Sequence, residues 1–163
     1  MRDSIILASV LCLSSVGCSK SEAPAAAPAP AAAPAAASVA PTSPPGPSVE
    51  DNTFKLSLVG EPEYSAGSAS TLKLVLEARG NYHVNQDYPI KIDLKAPSAV
   101  SLPKASLGKP DAAEFGEKIA RFDVPFTATA GAYELSADVD FAVCTPETCV
   151  PDQRKLAIKL AVK

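Results

Sequence analysis

The chain of 163 residues has no tryptophan, a single histidine (His83) and no methionine beyond the initiator. The last absence excludes a copper carrier built on methionine thioethers. Cysteine is sparse as well, at positions 12, 18, 144 and 149. A tetrahedral zinc site draws on four Cys or His side chains, and only a set completed by His83 and a carboxylate could reach that number. There is no basic run and no basic–aromatic stripe, so nucleic acid is not an expected partner. No apolar run approaches the ~20 residues that cross a bilayer as a helix. No segment keeps a helical period over ten residues, which leaves an all-β chain as the expectation.

The first feature present is the N-terminus, MRDSIILASVLCLSSVGCSKSE. Arg2 supplies a minimal positive end, and Ile5 to Val16 form a short apolar stretch typical of a secretory signal. Ser15-Val16-Gly17-Cys18 then resembles the lipobox of bacterial lipoproteins, with Ser15 where that motif usually has Leu. The resemblance implies a signal peptide over residues 1–17, cleavage before Cys18 and lipidation of Cys18. A plain signal peptide cut nearby would instead leave Cys18 an unpaired thiol. Ser19 after the lipidated cysteine leans toward the outer membrane, and the protein is expected on the periplasmic side of a bacterial membrane. Cys12 leaves with the signal and Cys18 carries lipid. Cys144 and Cys149 then remain, in a compartment where disulfides form.

Residues 18–48 form the lipidated cysteine and a tether. From Ser19 to Ser48, eight of thirty residues are Pro and twelve are Ala. Prolines at 24, 28, 30 and 34 break any helix the alanines favour, and nothing here can bury a core. Extended as polyproline II, such a tether reaches roughly 90 Å.

Residues 49–163 are one domain's worth of chain, with 16 acidic and 13 basic residues. Apolar residues alternate at Phe54, Leu56, Leu58; at Leu72, Leu74, Leu76, Ala78; and at Ile90, Ile92, Leu94. The pattern repeats at Phe122, Val124, Phe126; at Tyr133, Leu135, Val139, Phe141, Val143; and at Leu156, Ile158, Leu160, Val162. Six or seven short strands between Pro/Gly turns predict an antiparallel sandwich of immunoglobulin-like type, with a small barrel as the alternative. A monomer is expected. Since Val143 faces the core, Cys144 faces the other way, and the pair is expected at one rim of the sandwich near solvent.

Two readings of FAVCTPETCVPD, residues 141–152, stay open on the residues alone. As a staple, the bridge closes a loop of about six residues and contributes roughly 2 kcal/mol, against about 4.7 across a 100-residue loop. As a working thiol pair, it would be opened and closed by partners. It is not a Cys-x-x-Cys at a helix start, and no adjacent Lys or His activates it.

Several motifs together resemble the N-terminal periplasmic domain of the thiol:disulfide interchange protein DsbD. They are Glu114-Phe115-Gly116, the strand around Phe122-Asp123-Val124-Pro125, and Cys144-Thr-Pro-Glu-Thr-Cys149-Val150-Pro151. Gly80-Asn81-Tyr82-His83-Val84-Asn85 is similar to the strand that faces the disulfide in that family. The likeness covers most of residues 53–163. It implies that Cys144 and Cys149 cycle between dithiol and disulfide, with Cys149 forming the mixed disulfide and Cys144 resolving it. Phe115 would cap the pair, and Tyr82, His83, Asn85 and Glu114 would make its surroundings. His83 would stand where the family has a tyrosine and could tune thiol ionisation; otherwise it is a partly buried strand residue. A membrane thiol reductase would be the donor and oxidised periplasmic proteins the acceptors, with no metal or organic cofactor. The chain departs from the family at Ala113, where an acidic residue is usual, and at Asp152, where a second proline is usual.

Overall fold

A computed structural model describes residues 45–163; the signal segment, Cys18 and the tether up to residue 44 lie outside the described residues. The alternating segments become strands of two antiparallel sheets. In the first, β1 (Ser48–Glu50), β2 (Phe54–Val59), β3 (Ser70–Ala78) and β9 (Ile119–Ala128) lie side by side. Beyond β9 come two short edge strands, β6 (Val100–Ser101) and β8 (Ala112–Phe115). The second sheet runs β11 (Cys149–Val162), β10 (Gly131–Cys144), β5 (Lys91–Lys95) and β7 (Ser106–Gly108). The two residues of β4 (His83–Val84) pair with the far end of β10. Among the described residues no helix is long and apolar enough to cross a membrane.

This strand order is immunoglobulin-like. β3 sits between β2 and β9, and β10 sits between β5 and β11, which are the neighbours that the two sheets of that fold require. Two separate sheets, each with its own edges, make a sandwich and not a barrel.

Alternation puts one face of each long strand inside. Phe54, Leu56, Leu72, Leu74, Leu76, Phe122, Val124, Leu135, Val139, Phe141 and Leu156 are all buried, and among the described residues no charged or polar residue is buried with them. Each fully buried Leu or Phe stabilises the fold by about 1.5–3 kcal/mol. The surface ion pairs, such as Lys91–Asp93 and Lys95–Asp138, are solvated and contribute little. The core therefore holds the sandwich together, and the ion pairs decorate it.

The corner before β10 is pinned by a side chain. The Tyr133 hydroxyl donates to the Ala130 carbonyl at 3.0 Å and lies 2.9 Å from the Thr129 hydroxyl. Gly131 has φ 152°, and a Cβ there would meet the Tyr133 hydroxyl at 2.6 Å, so only glycine fits under the ring. From this corner β10 runs fourteen residues to Cys144, paired with β11 at every position back to Cys149.

Candidate functional site

The β10–β11 hairpin delivers both cysteines to one end of the second sheet. Its loop, residues 145–148, closes on itself: the Thr145 N–H donates to the Thr148 carbonyl at 2.8 Å. The Thr145 hydroxyl accepts from the N–H groups of Glu147 and Thr148, and Pro146 pre-sets the turn. On the far side of β10 the Asn85 N–H donates to the Ala142 carbonyl at 2.9 Å. Ala142, and by alternation Cys144, thus turn their backbone groups toward β4. Cys144 and Cys149 are left as a non-hydrogen-bonded pair, the arrangement that brings side chains closest. Their Cα atoms are 4.0 Å apart and the sulfurs are bonded.

The expected position near solvent holds for only one of the two cysteines. Cys149 is exposed, whereas Cys144 is 2% exposed. The predicted parity is right, since Val143 faces the core and Cys144 the outer side of the sheet. What alternation did not reveal is β4. It lays His83 directly opposite Cys144 and turns the end of β10 into an interior strand. His83, Cys144 and Cys149 therefore stand in one row across three strands.

Asn85 continues from β4 and reaches the same row. Its side-chain carbonyl accepts from the N–H groups of Asp87 at 2.8 Å and Tyr88 at 3.1 Å, while its amide nitrogen lies 3.5 Å from the Cys149 sulfur. Tyr82 points the other way, packing partly buried against the core.

The two members of the Glu-Phe motif part company. Glu114 is exposed and pairs with Arg121 at 2.9 Å. Phe115, in register with the buried Ala120, faces inward. Its ring stands edge-to-face with Phe122 at 6.4 Å, and the Lys109 ammonium lies 5.2 Å from its centroid. The same ammonium donates to the Gln86 carbonyl at 2.7 Å, next to Asn85. The turn after Phe115 is tied to β4 as well, because the Glu117 carbonyl accepts from the Val84 N–H and the Lys118 ammonium donates to the carbonyls of Gly80 and Tyr82. Lys109 and Lys118 had no signal in the sequence, being single lysines in turns.

Asp111 anchors the short turn that presents Lys109. Its carboxyl is held below the usual carboxylate range, first by the Lys104 ammonium and then by the Gly108 N–H. Among the described residues no group of three His, Cys, Asp or Glu is placed to hold a metal ion.

If Phe115 shields the disulfide, Phe115→Ala removes the ring and the cation–π contact to Lys109 together. Reduction of the bridge by a small thiol is then expected to speed up severalfold. A rate equal to wild type would make Phe115 a packing residue only.

No family model matches this sequence, and no curated protein matches it. Among solved structures, the chain is similar to the GAE domain of GGA2p from Saccharomyces cerevisiae, at 13% identity over 68% of this chain and 95% of that one, with a TM-score of 0.42. It is also similar to an ASH/PapD-like domain of human CEP192, at 15% identity over 79% and 94%, TM-score 0.37. A third is AggA, the major subunit of aggregative adherence fimbriae from Escherichia coli, at 13% identity over 69% and 97%, TM-score 0.35. The immunoglobulin-like assignment rests on the strand order itself, and the disulfide at the end of β10 and β11 is the feature that bears on chemistry.

Proposed function

We propose that this domain passes reducing equivalents by thiol–disulfide exchange at Cys144–Cys149. The observation that carries the reading is the unequal exposure of the two cysteines: Cys149 is exposed, where a partner can approach, and Cys144 is buried. A bridge meant only to stabilise gains little at this place. The hairpin is already paired along fourteen positions, and closing so short a loop adds only about 2 kcal/mol. The likeness to the DsbD N-terminal domain, carried by the cysteine hairpin and the Glu114-Phe115 segment, points the same way.

Charging of the domain runs in two balanced steps. A donor thiolate attacks the Cys149 sulfur, the S–S bond breaks, and Cys144 leaves as thiolate and takes a proton. A second donor thiolate attacks the donor sulfur of the mixed disulfide and releases Cys149, so two electrons enter the domain and the donor becomes a disulfide. In the reverse direction the Cys149 thiolate attacks an acceptor disulfide, and Cys144 then attacks Cys149 to free the reduced acceptor. The donor is a membrane thiol reductase and the acceptors are oxidised periplasmic proteins. Cys18 supplies the lipid anchor, the outer membrane is the favoured site, and the domain works as a monomer.

The reduction potential of the pair tests the reading. Equilibrated against defined thiol buffers, an exchange disulfide is expected above about −250 mV. A value below about −300 mV, where structural disulfides lie, makes the hairpin a staple and the domain a binding module.

A further inference from the structure

The Asn85 side chain has one orientation that satisfies its neighbours. Its oxygen accepts from two backbone N–H groups, those of Asp87 and Tyr88, and nitrogen could not take that place. The amide therefore presents its NH₂ to the Cys149 sulfur, 3.5 Å away. The donor is also anchored at its backbone, because the Asn85 N–H is bonded to the Ala142 carbonyl. The contact joins residues 64 apart in sequence, so it is a product of the fold and not of the hairpin.

We infer that Asn85 is a positioning residue for the exchange, holding an amide donor on the Cys149 sulfur so that the thiolate formed when Cys149 is released from the mixed disulfide is stabilised in place. Hydrogen bonding to the charged form of an acid favours that form. A disulfide sulfur is a weak acceptor and a thiolate a strong one, so the contact tightens when Cys149 carries charge. It is thus worth more in the opened states than in the closed bridge. Release of Cys149 from a mixed disulfide places that charge on Cys149, and its attack on an acceptor starts from the same thiolate; in this respect the inference rests on the exchange reading. The Thr145 hydroxyl of the hairpin does not do the same work, since it donates to the Thr148 carbonyl. This donor supplies the activation that the cysteine hairpin lacks in its own sequence.

The test reads Cys149 itself and needs no partner. In the reduced mature protein, the rate of alkylation is followed against pH and resolved peptide by peptide, which separates Cys149 from Cys144. The titratable side chains on the elements around the pair are His83 on β4, Asp87 in the turn, Lys109 at the Gln86 carbonyl, Glu147 in the hairpin loop, Asp140 on β10 and Asp152 on β11. All are unchanged in the variants, so a difference between variants reports on residue 85. Asn85→Asp keeps an oxygen for the Asp87 and Tyr88 N–H groups and replaces the donor by a charge of the wrong sign. The Cys149 pKa is expected to rise by about one unit or more. Asn85→Ala removes donor and turn together, and a smaller rise is expected. Equal pKa values in wild type and Asn85→Asp overturn the inference, as does a fall in either variant. A potential below about −300 mV with the order of pKa values intact would remove the relay and leave the Asn85 contact standing.

Discussion

Cys144→Ala is expected to turn the protein into a trap that accumulates mixed disulfides with its partners, while Cys149→Ser is expected to capture almost none. The difference follows from access. With Cys144 gone, the exposed Cys149 forms a mixed disulfide that no neighbouring thiol can resolve. With Cys149 gone, the remaining thiol is 2% exposed, flanked by β4 and β11, and must be uncovered before it can react. Capture by the two variants, read as disulfide-linked adducts on non-reducing gels, should differ on the order of tenfold or more, because exchange depends on which sulfur can be reached. Alanine is chosen at 144 since a serine there would bury an unpaired hydroxyl. Both variants lose the same bridge, about 2 kcal/mol, so folding does not explain the contrast. Equal capture would show that the burial of Cys144 opens readily. Capture by Cys144 alone would reverse the assigned roles, and capture by neither would leave the bridge a staple.

The long strands were legible because each carries its own period. Phe54–Leu58, Leu72–Ala78, Ile90–Leu94, Phe122–Phe126, Tyr133–Val143 and Leu156–Val162 all fall inside observed strands or one residue from their ends. The short strands β1, β4, β6, β7 and β8 have two to four residues and so no period to read. That loss mattered at β4, where two residues decide that Cys144 is buried. Proline misleads for a different reason. Pro151 lies within β11, where the hydrogen bond from Ala157 N–H to Gly46 shows that odd-numbered residues turn their backbone outward, away from β10. The donor that Pro151 lacks therefore belongs to the sheet's free edge, where none is needed. At the N-terminal boundary, Gly46 and Pro47 stand in the stretch read as tether. Their carbonyls nevertheless accept from Ala157 of β11 and Leu58 of β2.

At the site, sequence spacing identified the cysteine pair but not its surroundings. His83 and Asn85 came only with a resemblance, because a contact across 64 residues leaves no local trace. The Glu-Phe motif named two adjacent residues as one unit, and strand pleating sends them to opposite faces. Glu114 goes to Arg121 and Phe115 to Phe122.

Phe141→Ala is expected to be the most destabilising single change in the domain, at about 3–5 kcal/mol. Phe141 is fully buried on β10, the strand with partners on both sides, and its ring meets Phe54 of the opposite sheet edge-to-face at 4.8 Å. Phe54 in turn lies under the Arg154 guanidinium at 5.5 Å, so the cavity opens beneath a cation held by Asp152. The neighbours cannot close it. β10 is tied to β5 and β4 on one side and to β11 on the other, and strands held in register do not sink into a gap. Against a typical total of 5–15 kcal/mol the loss leaves a marginal fold, with the melting temperature lower on the order of 10–20 °C. Phe115→Ala, at a sheet edge and only partly buried, should cost far less. A denaturant titration separates the cases: the Phe141→Ala midpoint should fall with an unchanged slope, because the surface exposed on unfolding is the same. A loss below about 1 kcal/mol would mean that the two sheets do not share one core at this point. Phe141 lies three residues before Cys144 on the same strand, so the packing it provides also anchors the end of β10 that carries the disulfide.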